Sequence, residues 1–452
     1  MAEHKVIFLP DGIQKNVAEG TTIMAAAAEA GVELEGPCGG RGTCGKCRVL
    51  VKARGEEEWV LACKTPVTED MTIEIPQAAV ALHRKSALTE TDVHIKIEPG
   101  IKKKAIKVKE ATVEYQASDT ERLLSELGNA LKVFNLEALK SLPKAVRKSQ
   151  GLVTVTMTDD EILAVEPGDV TGRLFGIAVD IGTTTIVVSL VNLLNGETLS
   201  TASATNAQNI FGADVIARIE HVMKQAQGLE QLQRRVVNVI NRLIEKLSEE
   251  CSVAPQEIVK VSIAGNTTMG HLFLGLDPSA IAPAPFTPVV RHDVQVEGKQ
   301  VGLKVYPAAK VTVLPNIAGY VGADTIAVIL ATNIYQEKGV TLAIDIGTNG
   351  EMVLSVNGNL MACSTAAGPA FEGAHIKQGM RAAAGAIEGV RIEEDVMLRV
   401  IGNTAAKGIC GSGLIDAIAE LVRVGIIDQS GKLLGKEEAE HLPDNLRDRL
   451  ST

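Results

Sequence analysis

Phe175–Asn192 reads FGIAVDIGTTTIVVSLVN, and Thr341–Gly358 reads TLAIDIGTNGEMVLSVNG. With Asp180 laid on Asp345, Ala178, Ile181, Gly182, Thr183 and Val188 fall on identical residues 165 positions later. Each copy is an apolar run, a D-I-G-T turn and a second apolar run, the pattern of strand, turn and strand. The unit has a chemical use. A strand that ends at an Asp carboxylate and a glycine-led turn presents consecutive N–H groups and hydroxyls, a nest for phosphate oxygens. The carboxylate would hold hydrated Mg²⁺, which takes one or two carboxylates, waters and substrate phosphates. Two such turns facing each other would clamp the β- and γ-phosphates of ATP. The competing reading is an old duplication kept for packing alone.

Downstream, AKGICGSGLIDAIAELVRVGIID (406–428) is a glycine-rich turn opening an apolar helix. Helix N-termini favour anions, and Gly411 and Gly413 would let a nucleotide approach the backbone. The plainer alternative is a helix start capped by Ser412. Three further segments are glycine-rich or polar where a cleft is expected. Residues 204–219 place Asn206, Gln208, Asn209 and Asp214 ahead of a helix. Residues 262–275 read as strand, G-N-T-T turn and helix, and residues 364–388 are rich in Gly and Ala, with Glu372 and Arg381. His271 reads as a satisfied structural histidine. The helix at 228–250 is amphipathic and reads as lying against a sheet. Cys251, Cys363 and Cys410 lack ligand spacing and read as buried thiols.

The front of the chain carries different chemistry. EGPCGGRGTCGKCRVLV (35–51) is followed by LACKT (61–65), giving Cys38-x5-Cys44-x2-Cys47-x15-Cys63. Zinc sites usually pair their ligands in short CxxC hooks. Here three cysteines share one glycine-rich loop and the fourth arrives alone. That is the plant-type 2Fe–2S layout, C-x4-C-x2-C…C, with one residue added in the first gap. A zinc knuckle, or four unrelated core cysteines, is the alternative. Gly39, Gly40, Gly42 and Gly45 permit the positive φ values and close approach that a wrapped cluster needs. HKVIFLP and QKNVAEG read as a strand pair, and IMAAAAEAG as a helix capped by Thr21 or Thr22 and ended by Gly31. CRVLVKA and MTIEIP read as further strands, so residues 1–78 have the order of a β-grasp ferredoxin domain.

A linker is expected over 79–100 and a small α+β domain over 101–172. IKKKAIKVKE (101–110) reads as a solvated linker or edge strand, with a docking surface for an acidic partner as the sharper alternative. Ser118 or Asp119 caps a helix whose apolar positions are Leu123, Leu124, Leu127, Leu131 and Phe134. Two strands follow around Asp159–Asp160.

Aromatic residues are only 3% of the chain, so its cores must be aliphatic and alanine-rich. A net charge of −10 argues against nucleic-acid or anionic-membrane partners. No uncharged apolar run reaches the roughly 18 residues of a membrane span. The acidic N-terminus is unlike a signal peptide. A cytoplasmic protein is expected, in which clustered cysteines bind metal rather than pair as disulfides.

Taken together, DIGTTT, GNTTM, DIGTNGE, GPAFEG and CGSGLID resemble the superfamily of acetate and sugar kinases, heat-shock chaperones and actin (ASKHA). With a ferredoxin domain ahead of them, they resemble more narrowly the ATP-dependent reductive activators of corrinoid proteins, over essentially the whole chain. The resemblance implies a multidomain α/β and α+β fold: β-grasp domain, small α+β domain, and a duplicated ribonuclease-H-like ATPase domain over 173–452. It implies that a 2Fe–2S cluster on Cys38, Cys44, Cys47 and Cys63 passes one electron to a corrinoid methyl-carrier protein, Co(II) to Co(I), with ATP and Mg²⁺ driving the step. Plant-type clusters sit near about −400 mV, and the family's cobalt couple lies lower still. Each ~59 mV of mismatch costs tenfold in a one-electron equilibrium. By the same resemblance Asp180, Gly182, Thr183 and Thr184 form the first phosphate loop. Asp345, Gly347, Thr348, Asn349 and Gly350 form the second, and Gly411, Ser412 and Gly413 lie at the purine side. Asp214 is assigned to position the attacking water.

Expected partners are the corrinoid carrier, an upstream low-potential electron donor and, as an assembly, a homodimer. Family members continue past GIID with a further glycine-rich turn, closing strand and helices, so the last subdomain is expected to be incomplete and the charged tail 436–452 frayed. Two other functions compete. One is a plain 2Fe–2S electron carrier whose ASKHA-like domain only docks a partner. The other is a metabolite kinase with a redox-sensing domain, for which no compact substrate-specific polar set is evident. The 2-hydroxyacyl-CoA dehydratase activators share the ATPase logic but lack a ferredoxin domain.

Overall fold

The structure, a computed structural model, describes residues 2–450 apart from 10, 11, 31, 33, 35–41, 43–46, 54, 55, 76–81, 84–95, 129–132, 213, 348, 367–375, 381, 383 and 429. Two compact units are formed, one ending at Asn333 and one beginning at Ile334.

The ferredoxin-like part comes first. β1 (Glu3–Leu9), β2 (Ile13–Ala18), β3 (Arg48–Ala53), β4 (Glu56–Leu61) and β5 (Met71–Glu74) form one sheet in the order β2-β1-β5-β3-β4. The parallel β1–β5 pair lies at its centre. Alternation in β1 sends Val6 and Phe8 inward, where they meet Ile23, Ala26 and Ala27 of α1 (Ile23–Glu29). Thr22 is the cap: its hydroxyl accepts from Ala25 N. The glutamate-rich β4 was not expected from the sequence. It is an edge strand paired to β3 alone, where charge is tolerated.

β6 (Leu82–His83) falls in the expected linker and pairs with a strand of the later ATPase-like sheet. β7 (Lys102–Lys107), β8 (Val133–Phe134), β9 (Leu152–Met157) and β10 (Glu161–Pro167) form a sheet in the order β7-β9-β10-β8, packed by α2 (Asp119–Glu126) and α3 (Leu136–Lys148). β7 is the expected edge strand. Its lysines are engaged locally, Lys103 with Glu166 at 2.6 Å and Lys102 with Asp159 at 3.0 Å. The helix expected to reach Phe134 stops at Glu126. Gly128 follows at φ +89°, outside the helical region, and Phe134 belongs to β8.

The first ATPase-like half is a seven-stranded sheet. β11 (Phe175–Ile181), β12 (Thr185–Asn192), β13 (Thr198–Thr205), β14 (Ile258–Gly265), β15 (Val294–Glu297) and β16 (Lys310–Val313) join β6 in the order β15-β16-β14-β11-β12-β13-β6. β11 is central, antiparallel to β12 and parallel to β14. Around it lie α4 (Val215–Lys224), α5 (Gly228–Cys251), α6 (Thr267–Leu274) and α7 (Ala323–Thr332). α5 buries Leu232, Val236, Val239, Ile240, Leu243 and Leu247, the stripe its periodicity predicts. The α+β domain is tied to this sheet by Tyr306 Oη donating to Leu163 O (2.9 Å) and Lys310 pairing with Glu161 (2.5 Å).

In the second unit, β17 (Val340–Ile346), β18 (Asn349–Val356) and β19 (Asn359–Ala366) form an antiparallel meander. β20 (Ala386–Ile392), β21 (Val396–Val400) and β22 (Gly408–Ile409) form a second sheet on which α8 (Gly411–Arg423) packs. The tail is folded rather than frayed. α9 (Asp444–Arg447) sets Leu446 beside Ile392, Ile426, Ala439 and Leu442, and Lys436 pairs with Asp448 at 2.7 Å. Of the three cysteines expected to be buried, Cys410 is buried, Cys251 is partly buried, and Cys363 is exposed on β19. Among the described residues no helix is long and apolar enough to cross a membrane.

Candidate functional site: a thiol pair and a gripped D-I-G-T turn

Two of the four expected metal ligands are described. Cys47 immediately precedes β3, and Cys63 lies in the turn after β4. Ala62 N donates to Cys47 O, which draws these two segments together. The two buried sulfur atoms stand 3.2 Å apart, well beyond the roughly 2.05 Å of a disulfide bond. Converging soft donors at the edge of a glycine-rich loop fit a shared iron–sulfur group. Gly42 of that loop has φ +78°, and a Cβ there would lie 2.7 Å from Lys64 Cε. The positive φ is what calls for glycine here, since the lysine end can move aside. Cys38, Cys44, Gly39, Gly40 and Gly45 lie outside the described residues.

The first D-I-G-T turn is held more tightly than its sequence suggests. Asp180 is exposed, one residue before the end of β11, and Gly182 N donates to Thr185 O at 2.9 Å. A Cβ on Gly182 would meet that same Thr185 oxygen at 2.6 Å, so glycine is required sterically. Three side chains then grip the turn. Asn206 Nδ2 donates to Gly182 O at 2.9 Å. Asn266 Nδ2 donates to Thr183 Oγ1 at 3.0 Å. Arg218 Nη2 donates to Thr183 O. Asn206, Arg218 and Asn266 are all buried. Across a trans peptide the C=O and N–H point in opposite directions. Anchoring the Gly182 and Thr183 carbonyls to the protein therefore turns the N–H groups of Thr183 and Thr184 away from those anchors.

Each gripping residue has a local reason for its place. Asn206 begins a short turn over Ala207–Ile210 and its Oδ1 accepts from Gln208 N. Asn266 caps α6 through Met269 N at 3.0 Å. His271, on the same helix, is buried as the sequence reading expected. Its Nδ1 lies 2.7 Å from Thr267 O and its Nε2 accepts from Val289 N at 2.9 Å. A carbonyl can only accept and an amide N–H can only donate, so the ring is the neutral Nδ1–H tautomer. Burial pushes its pKa down, against the raising effect of the Thr267 carbonyl. Asp214 has a structural job: it caps α4, its Oδ1 accepting from Ala217 N at 2.8 Å.

In the second unit, Asp345 ends β17 opposite Glu351, and Gly347 N donates to Asn349 O at 3.1 Å. Gly350 pairs with Thr365 of β19. Thr348, Glu372 and Arg381 lie outside the described residues. At the start of α8, Cys410 rather than Ser412 occupies the N-cap position, and the Ser412 hydroxyl lies 3.3 Å from the Cys410 thiol. A Cβ on Gly413 would meet Ile387 O at 2.1 Å, so that glycine serves the close packing of α8 on β20. Gly411 opens the helix. Also on α8, Glu420 accepts from Ile392 N and pairs with Arg423, which holds its carboxyl at about 2.

Arg218 and Asn266 were not singled out by the sequence reading, and Asn206 entered it only as one polar residue among several. A G-N-T-T turn directly after a strand was the signal for Asn266. Arg218 lies in an ordinary amphipathic helix pattern and carried none.

Comparison with known proteins agrees with this layout. The 2Fe-2S iron-sulfur cluster binding domain pattern matches residues 7–68, and the RACo linker region matches 90–172. The RACo middle region matches 175–337, and the C-terminal domain of RACo, the ASKHA domain, matches 339–449. The expected α+β domain thus corresponds to part of that linker region. The corrinoid activation enzyme RamQ of Eubacterium limosum is 32% identical over 422 residues, 93% of this chain and 70% of RamQ. The [Co(II) methylated amine-specific corrinoid protein] reductase of Methanosarcina barkeri is 27% identical over 58% of this chain and 53% of its own length. The solved structure of a reductive activator for corrinoid, iron-sulfur protein superposes with a TM-score of 0.68. It is 39% identical and covers 96% of this chain and 74% of its own.

Proposed function

Because the chain belongs to the RACo family, with a 2Fe–2S ferredoxin-type domain and an ASKHA domain, we propose that it reduces the Co(II) corrinoid of a methyl-carrier protein to Co(I) at the expense of ATP. The observation that carries this reading is the presence, on one chain, of the converging Cys47 and Cys63 thiols and a D-I-G-T turn gripped by Asn206, Arg218 and Asn266. A 2Fe–2S group held by Cys38, Cys44, Cys47 and Cys63 would supply the single electron. Asp180 would take hydrated Mg²⁺. The backbone N–H groups of Thr183 and Thr184, with the glycine turn between strands, would receive phosphate oxygens. Preorganised donors of this kind cost no rearrangement as charge develops on the transferred phosphoryl group. Asp345, Gly347, Thr348, Asn349 and Gly350 offer the same chemistry in the second unit. The scheme also requires an upstream low-potential donor.

The open surroundings of β17 favour a second reading, in which the ASKHA-like part only docks a partner. One optical experiment separates the two. Protein reduced anaerobically is mixed with a Co(II) corrinoid carrier, and the cobalamin spectrum is followed with and without MgATP. Co(I) forming only with MgATP is the expected result. Equal formation without ATP would leave the electron carrier, and no Co(I) in either cuvette would overturn the proposal.

A further inference from the structure

Arg218 is among the largest fully buried side chains of the chain. A buried guanidinium has five N–H donors in a rigid fork, each costly to leave without an acceptor. Nε donates to Gly212 O (3.1 Å), Nη1 to Gln208 Oε1 (3.0 Å) and Met269 Sδ (3.1 Å), and Nη2 to Asn209 Oδ1 (2.6 Å) and Thr183 O. Three of these acceptors belong to the 208–212 turn beside its own helix. Two come from outside it: Met269 of α6, and Thr183 of the first D-I-G-T turn, 35 positions away in sequence. A purely local structural arginine has no need of the Thr183 contact.

We propose that Arg218 is the positioning residue of the first phosphate loop. It holds the Thr183–Thr184 peptide so that the Thr184 N–H faces away from the guanidinium, toward bound phosphate. This rests on the nucleotide reading above. Arg218 touches no reacting atom. It acts through the Thr183 peptide, and Gln208 and Asn209 fix its own orientation. Gln208 is in turn tied by Nε2 to Leu232 O of α5 at 2.9 Å, so the support reaches the helix that covers the sheet.

The test measures the dissociation constant of a non-hydrolysable ATP analogue with Mg²⁺ for the full chain under anaerobic conditions. Arg218→Lys keeps the charge but cannot span these five acceptors. It should weaken binding by about tenfold or more, the scale of one lost charge-assisted hydrogen bond, with the visible spectrum of the ferredoxin domain unchanged. Asn209→Ala loosens the fork without touching the loop and should weaken binding by a smaller factor. Should Arg218→Lys fail to fold, Asn209→Ala decides the matter. Ile219→Val, at the fully buried neighbouring position, lowers stability and should leave affinity unchanged. Wild-type binding that survives intact in Arg218→Lys, or in Asn209→Ala where that variant decides, would overturn the positioning role alone. So would a loss of affinity in Ile219→Val matching that in Arg218→Lys. No binding by the wild type would overturn the nucleotide reading and this role with it.

Discussion

In β11, Ile177, Val179 and Ile181 are 4%, 3% and 0% exposed; in β17 the aligned Leu342, Ile344 and Ile346 are 55%, 55% and 48% exposed. The two strands begin from nearly the same residues. β11 has a strand on each side, β12 and β14, and belongs to the core that α5 covers. Among the described residues β17 has only β18 beside it. The turns differ too. The first closes from Gly182 N to Thr185 O, the second from Gly347 N to Asn349 O, one residue tighter. The D-I-G-T sequence therefore specifies a strand ending in a carboxylate and a turn. Burial and rigidity come from what is laid against the strand.

Paired truncations would break this comparison most sharply. Ile181→Ala should cost about 2–5 kcal/mol of unfolding free energy, because it opens a cavity in a packed core. Ile346→Ala should stay within about 0.5 kcal/mol, as for other exposed sites. Denaturant titration of the two variants checks both, and equal losses would show that β17 is buried in solution.

A smaller effect separates the halves by pH. His271, buried behind the first loop, has its pKa lowered from 6.5. Its neutral form is the native one, so its contribution is complete above 6.5 and is lost as pH falls below that value toward the native one. Glu420, on α8, is held at about 2 against an ordinary 4.5. Its contribution is complete above 4.5 and is lost as pH falls from there toward 2. Acid titration followed by segment-resolved protection should therefore weaken α6 before α8, and His271→Gln should remove the earlier step.

Much of this was legible in the chain. The repeat of Asp180 at Asp345, the cysteine spacing and the apolar stripe of α5 each report local geometry, which sequence encodes directly. The glutamates of β4 hid a strand because an edge position tolerates them. The helix through Leu123 was read too long because its apolar spacing continues past Gly128, where the backbone leaves the helix. The supports of the first loop were least legible. Arg218 looks like a surface arginine until the fold brings Thr183, 35 positions earlier, against it. Asp214, a catalytic candidate from its polar loop, also caps α4 through Ala217 N.

The claim that the first D-I-G-T turn is a built phosphate site is tested most directly by hydrogen exchange, followed by mass spectrometry, with and without a Mg²⁺-bound non-hydrolysable ATP analogue. The 181–186 segment should already be slow to exchange compared with 346–351, and should slow further when nucleotide is added. No nucleotide-dependent change at 181–186, or protection confined to 346–351, would contradict it.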